Sequence, residues 1–222
     1  MKNLDLINTD HTEYDLSYVR NETVNLDYRI CLPPTAELLT DRVQRLPESI
    51  TIIRDCIEMG AREELLDFLQ ATNNWQRSLV MDTNNPESEN RSSETYMFDK
   101  FGNKGVNTFV HALLTNGVQF YKNDKPYRDI AGVVDSYYAI RYSETQEYKV
   151  HCDQGPGVNR SVSAVFYLND NYEGGEIYFP NQEITLKPKA GDLILFPSSF
   201  THAHASLPVQ TGTKYAIVSW WV

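Results

Sequence analysis

In the stretch YKVHCDQGPG, His151 and Asp153 stand two positions apart on a β-type run that leads into a glycine–proline turn. Side chains on a strand alternate between faces, so the imidazole and the carboxylate share one surface while Cys152 points to the other. Such a pair is two thirds of the 2-His-1-carboxylate set, which holds non-haem Fe(II) and leaves further coordination positions open. A second histidine is needed, and the chain has five in all. His202 and His204, in FTHAHASLP, follow the apolar run DLILFPSS, and either could reach the same metal from a neighbouring strand. His111 lies inside a helical pattern, where a lone histidine is ordinary surface or core.

The elements that must carry these residues change character along the chain. Leu38, Leu39, Val43 and Leu46 suggest a short helix after a polar, aperiodic beginning. The spacing of Leu65, Phe68 and Leu69 predicts a helix over Ala61 to Ala71, and that of Val106, Phe109, Val110, Leu113, Leu114, Phe120 and Tyr121 a longer one from Gly105 to Lys122, despite Gly117. Between them Asp82 to Glu94 is rich in turn formers and charge, and reads as a long exposed loop able to act as a lid. From Gly132 onward the chain breaks into short β-type runs, from VVDSYYAIRY to TKYAIVSWW, separated by GPG, NDNYEGG, PN, KAG and QTG. Helices first and closely spaced strands afterwards predict a mainly β fold. Its core is expected to be a double-stranded β-helix, or jelly roll, with the helices packed on the outer face of one sheet.

Bulk properties narrow the function. A chain of 222 residues with 41% hydrophobic content can bury a substantial core. Its formal net charge of -10 argues against a surface that tracks nucleic-acid phosphates. Cys31, Cys56 and Cys152 are scattered and odd in number, which fits reduced thiols rather than a disulfide framework. With no secretory h-region and no spanning stretch, the expectation is a soluble cytoplasmic protein without nucleic-acid or membrane partners.

A longer pattern then emerges: Tyr142, Tyr148, His151 and Asp153; Tyr167-Leu168-Asn169; Glu173-Gly174-Gly175-Glu176 with Phe179-Pro180; Gly191-Asp192 with Phe196-Pro197; and His204, Pro208-Val209, Gly212 and Lys214. In order and spacing it resembles the 2-oxoglutarate/Fe(II) dioxygenases, and within them the prolyl 4-hydroxylase-like branch. The resemblance runs from about residue 55 to the C-terminus, which divides the chain into an N-terminal extension, 1–54, and a dioxygenase-like domain, 55–222.

That resemblance implies His151, Asp153 and His204 as the ligands of Fe(II), with His202 pointing elsewhere. It also implies Lys214 and Tyr142 as partners of the distal carboxylate of 2-oxoglutarate, O2 as oxidant and ascorbate as reductant. Tyr148, Arg160, Trp220, Arg91 and Ser93 are implied as substrate contacts. Two positions depart from the pattern: Ile177 stands where relatives often carry Thr, and Tyr96-Met97 replaces a frequent Trp-Leu. The implied activity is hydroxylation of an unactivated C–H bond with release of succinate and CO2, most simply on a prolyl residue of a peptide or protein. Hydroxylation of a free amino acid or small metabolite, and a non-catalytic metal-binding jelly roll, are the alternatives.

Overall fold

The computed structural model describes residues 42–79, 90–102, 104–125 and 132–222. It begins with strands β1 (Val43–Arg45) and β2 (Thr51–Ile53), helix α1 (Met59–Ala71), and strands β3 (Gln76–Arg77) and β4 (Glu94–Tyr96). A single turn, α2 (Phe98–Phe101), and the long helix α3 (Lys104–Asp124) follow. The strand-rich part comprises β5 (Val134–Tyr142), β6 (Tyr148–His151), β7 (Val162–Tyr167), β8 (Glu173–Gly174), β9 (Ile177–Phe179) and β10 (Ile184–Leu186). It closes with β11 (Leu193–Pro197), β12 (His204–Ser206), β13 (Val209–Thr211) and β14 (Lys214–Trp221).

The strands form an eight-stranded sheet, β1-β2-β11-β7-β14-β5-β4-β3, a four-stranded sheet, β10-β9-β12-β6, and the pair β13-β8. This is a jelly-roll core with helices on one outer face, and period-two alternation explains how its layers separate. On β14, Tyr215, Ile217 and Trp221 join Ala139, Val162, Ala164, Phe166, Leu193 and Leu195 in a core shared with the apolar stripes of α1 and α3. Ala216, Val218 and Trp220 join Ile140, Tyr142, Tyr167, Ile194 and Phe196 on the other face, where Ile177 and Phe179 of the small sheet meet them. One face is covered by helices and the other by the second sheet, so β14 is buried along its whole length.

Two expectations need correction, and the N-terminal part of the chain has a place in the sheet. Val43 lies in a strand and not a helix; Leu38 and Leu39 lie outside the described residues. β2 pairs with β11, so the last part of the N-terminal extension contributes strands to the main sheet. Of the loop Asp82 to Glu94, residues 82–89 lie outside the described residues, and residues 91–94 are buried or half-buried rather than exposed. Arg91 bridges to Tyr148, the Lys149 N–H donates to the Asn90 carbonyl, and Glu94 opens β4. Turn-rich composition misled here because the pairing partner, β6, is more than fifty residues away.

His111 is exposed on α3 beside Tyr137. Cys56 and Cys152 are free thiols, and Cys31 lies outside the described residues. No helix among the described residues is long and apolar enough to cross a membrane.

Gly117 interrupts the apolar stripe of α3 for a steric reason: a Cβ there would overlap the Leu193 side chain on β11. A β-branched residue would have to push helix and sheet apart, an overpacking cost of about 1–3 kcal/mol. Gly117→Val is therefore expected to lower the Tm by roughly 2–12 °C, at about 2–4 °C per kcal/mol for a chain of this size. Gly117→Ala should cost less, because helix propensity returns about 1 kcal/mol. Thermal denaturation of the two variants checks the order.

Candidate metal centre and adjoining cleft

His151 ends β6 and His204 opens β12, and the two are directly paired across the antiparallel ladder. Cross-strand partners project to the same face, so their rings lie 4.4 Å apart. Asp153 is not on the strand, as two-residue spacing suggested. It sits in the bend just past β6, which turns its carboxylate back toward both rings. Asp153 Oδ1 is 3.5 Å from His151 Nε2, and Oδ2 is 3.6 Å from His204 Nε2. Among the described residues this is the one group of three metal-ligating side chains, with ligand atoms within 4.8 Å of one another.

The surrounding hydrogen bonds orient the set. His151 Nδ1 lies 2.9 Å from the Lys149 carbonyl and His204 Nδ1 lies 3.0 Å from the His202 carbonyl. A carbonyl can only accept, so each Nδ1 carries the proton and each Nε2 presents a lone pair to the centre. Ser163 Oγ donates to Asp153 Oδ2 at 2.6 Å. Burial pushes the His204 pKa down to about 4, against the raising effect of the Asp153 carboxylate. Burial would raise the Asp153 pKa, but attraction to the two imidazoles in their protonated form, with the Ser163 hydroxyl, outweighs it and holds the carboxyl well below the usual range. Two imidazole lone pairs and a carboxylate thus face one point with no donor between them, an arrangement that a cation satisfies. The donor set fits Fe(II).

His202 faces away. Its Nε2 donates to the Glu48 carbonyl at 2.6 Å, and its Nδ1 lies 2.9 Å from Thr201 Oγ1.

The triad opens into a cleft between the two sheets, lined by Tyr142, Tyr148, Arg91, Ile177, Lys214 and Trp220 among others. Lys214, paired across the ladder with Tyr142, is 2% exposed. Its Nζ donates to Ser206 Oγ at 2.7 Å and to the Gly175 carbonyl at 2.8 Å. Gly175, at φ 65°, leaves 3.2 Å between the place of a Cβ and Lys214 Cδ, so a side chain there would crowd the lysine stem. Burial, and then the neighbouring Lys187, lower the Lys214 pKa to about 7. Tyr142 is fully enclosed and raised by burial, with Ser93 and Ser206 within hydrogen-bond reach of its hydroxyl.

The remaining residues implied by the resemblance are distributed unevenly. Tyr148 stacks on His151 with ring centroids 3.5 Å apart, and Arg91 covers its other side at 4.8 Å. Trp220 lines the cleft beside Tyr138. Arg160 does not line it: it lies 4.0 Å over the Trp220 ring and pairs with Asp135 at 2.8 Å. Ser93 is buried behind Arg91, accepting from Arg91 Nε at 2.8 Å and bonding to Ser78. Three residues escaped the sequence reading: Ser163, Ser206 and Tyr138. For two of them the signal was period two, since Ser163 alternates with Val162 and Ala164, and Ser206 lies two beyond His204 on the same strand.

Residues 137–222 match the 2OG-Fe(II) oxygenase superfamily, and these are the residues that carry the triad and Lys214. The chain also has curated relatives. An Acanthamoeba polyphaga mimivirus protein, whose name places it among prolyl 4-hydroxylases, is 32% identical over 102 residues, 37% of this chain and 42% of that protein. A PKHD-type hydroxylase of Crocosphaera subtropica is 34% identical over 89 residues, 36% of this chain and 39% of that protein. The chain spans about two fifths of the length of such relatives.

A similar fold is found in a Trichoplax adhaerens prolyl hydroxylase solved with a hypoxia inducible factor peptide fragment. Its TM-score is 0.64 at 18% identity, over 79% of this chain and 84% of that one. A Pseudomonas putida prolyl-4-hydroxylase gives 0.61 at 16% identity, over 79% and 93%.

If Ser163 holds the Asp153 carboxylate in place, Ser163→Ala should weaken Fe(II) binding by roughly 10- to 100-fold, the usual effect of removing an outer hydrogen-bond partner of a ligand. The native chain, with Fe(II) at about 100 times its Kd, should gain about 2.7 kcal/mol, or roughly 5–10 °C in Tm. Asp153→Ala should gain nothing. Anaerobic metal titration and thermal shift measure both.

Proposed function

We propose that the chain is an Fe(II)- and 2-oxoglutarate-dependent dioxygenase that hydroxylates an unactivated C–H bond, with a prolyl residue of a peptide or protein as acceptor. The observation that supports this reading above others is the coincidence, in one cleft, of the His151–Asp153–His204 set with a buried lysine backed by a tyrosine. A metal held for structure alone has no use for Lys214 and Tyr142. The prolyl acceptor is supported by what the relatives are named.

His151, Asp153 and His204 would hold the metal. Fe(II), when bound, supplies the activation of O2 that couples oxidative decarboxylation of 2-oxoglutarate, to succinate and CO2, with transfer of one oxygen atom to the acceptor. The Lys214 ammonium would meet the distal carboxylate of 2-oxoglutarate in a charge-assisted hydrogen bond, strengthened by exclusion of water. Ser206 and the Gly175 carbonyl aim its Nζ, and the Tyr142 hydroxyl would share the same carboxylate. Ile177 and Val218 line the cleft as apolar walls that keep water from the reacting groups. Tyr148, Trp220 and Arg91 would contact the acceptor, while Arg160, tied to Asp135, holds the indole of Trp220 at the rim. Ascorbate would serve as reductant.

The test is incubation of the purified chain with Fe(II), 2-oxoglutarate and ascorbate against proline-containing peptides and free amino acids. Mass spectrometry should find one added oxygen in a prolyl peptide, in step with succinate. Oxygen added to a free amino acid alone would overturn the peptidyl acceptor; no succinate with any acceptor would overturn the activity.

Lys214→Ala removes a bond worth about 1.5–3 kcal/mol, so 2-oxoglutarate should bind roughly ten- to hundredfold more weakly while Fe(II) affinity barely moves. The lysine also sets a pH dependence. Its free-state pKa is lowered to about 7, and only the ammonium form pairs with a carboxylate. Binding therefore takes up a proton above that pH: affinity is steady below pH 7 and declines by up to about tenfold per unit above it. Anaerobic titrations at pH 6.5 and 8.5 should differ by at least tenfold in the native chain, and little in Lys214→Arg.

A further inference from the structure

Carboxylates take up the charge of most arginines among the described residues. Arg45 pairs with Asp124 at 2.7 Å, Arg141 with Glu94 at 2.8 Å, Arg160 with Asp135 at 2.8 Å, and Arg54 with Asp192. Arg91 is more deeply buried than any of these, at 6% exposure, and has no carboxylate within ion-pair distance among the described residues. Its Nε is spent on Ser93, and Tyr138 lies within hydrogen-bond reach. The guanidinium carbon lies 4.8 Å from the centre of the Tyr148 ring, which stacks on the metal ligand His151. Arg91 is also one of the residues that line the cleft.

A guanidinium withdrawn from water without a counter-ion is costly. Stacking and the hydroxyls of Ser93 and Tyr138 offset part of that cost, but none of them neutralises the charge. Charge bookkeeping in the cleft sharpens the point. Of the charged side chains lining it, Lys214 and Arg91 are cations and Asp153 is the anion. A divalent cation at the triad and dianionic 2-oxoglutarate at Lys214 cancel each other, and Asp153 offsets Lys214. Among the described residues the positive charge of Arg91 is left over, one aromatic ring away from the metal centre. The group that matches a planar fork of N–H donors is a carboxylate.

We infer, on the footing of the dioxygenase reading above, that Arg91 docks a carboxylate of the acceptor, so that the cleft selects substrates bearing a negative charge close to the hydroxylated carbon over neutral ones. The carboxylate has two sources of the same chemistry: the main-chain carboxylate of an amino acid or chain end, or an acidic side chain beside the target residue in a peptide.

Calorimetry without oxygen, on the full chain loaded with Fe(II) and 2-oxoglutarate, reads acceptor binding without any turnover. The probes are L-proline against L-prolinamide, and Ala-Pro-Asp-Ala against Ala-Pro-Asn-Ala, both peptides blocked at each end. At least one charged member should bind about tenfold or more tightly than its neutral twin, and the pair that shows it identifies the source. Arg91→Gln should erase the preference and Arg91→Lys should keep part of it. Absence of a preference in both pairs, including absence of all binding, overturns the inference, and that comparison needs only the native chain. So does a preference that survives in Arg91→Gln. If Arg91→Gln instead loses 2-oxoglutarate affinity as Lys214→Ala does, the guanidinium serves the cosubstrate and the inference falls. A parallel titration separates the two readings: a native chain that prefers charged acceptors yet binds no 2-oxoglutarate sinks the dioxygenase reading and leaves this one standing.

Discussion

β14 is buried on both faces, and a strand in that position must sort every side chain into one of two compartments. The odd-numbered residues Tyr215, Ile217 and Trp221 go to the helices, whereas Lys214, Ala216, Val218 and Trp220 go to the cleft. Its ladders with β5 and β7 impose the same division on Tyr142 and on Ser163. A slip of one residue would exchange the compartments, sending Lys214 into the helix-packed core and Ile217 toward the metal centre. The core therefore specifies the register, and the register aims the lysine, the tyrosine that backs it and the serine that holds Asp153.

Against that frame, the small sheet brings in the other half of the site. β12 and β6 set His204 opposite His151, and backbone carbonyls fix both ring tautomers. The two histidines are oriented by main chain, whereas Asp153 is held by the buried Ser163 hydroxyl. The cations are arranged differently. Lys214 and Arg91 are held in place by hydroxyls, a carbonyl and aromatic faces, none of which carries a full negative charge. Such partners hold geometry and leave charge available, as an anion-binding cleft requires.

Much of this was legible in the residue order. The stripe of α3 and the alternation of β14 are long and strongly periodic, and both elements form within about two residues of where periodicity put them. The order of histidine, aspartate, glycine pair and lysine located the site. What escaped was set by contacts distant in sequence. Asp153 falls past the strand because β6 ends where its partner β12 begins. Arg91 and Ser93 sit in polar, turn-rich chain, and their burial comes from pairing with β6 and packing on Tyr138 and Tyr148. Local composition carries no trace of that. The same holds for Val43, whose strand exists because β2 adds to the edge of β11.

The contact between His202 and Glu48 bears on how short a working fragment can be. Glu48, in a left-handed turn at φ 56°, offers its carbonyl to the His202 ring, and the His202 carbonyl in turn holds His204. A fragment trimmed to residue 55 would retain every residue of the superfamily match, yet it would lose this buttress together with β1 and β2. The apolar strand β11 would become an open edge, with unpaired backbone groups ready to recruit another chain. Recombinant boundaries drawn from motifs alone would thus give an aggregating product, and a cut placed before residue 42 keeps both the buttress and the sheet edge.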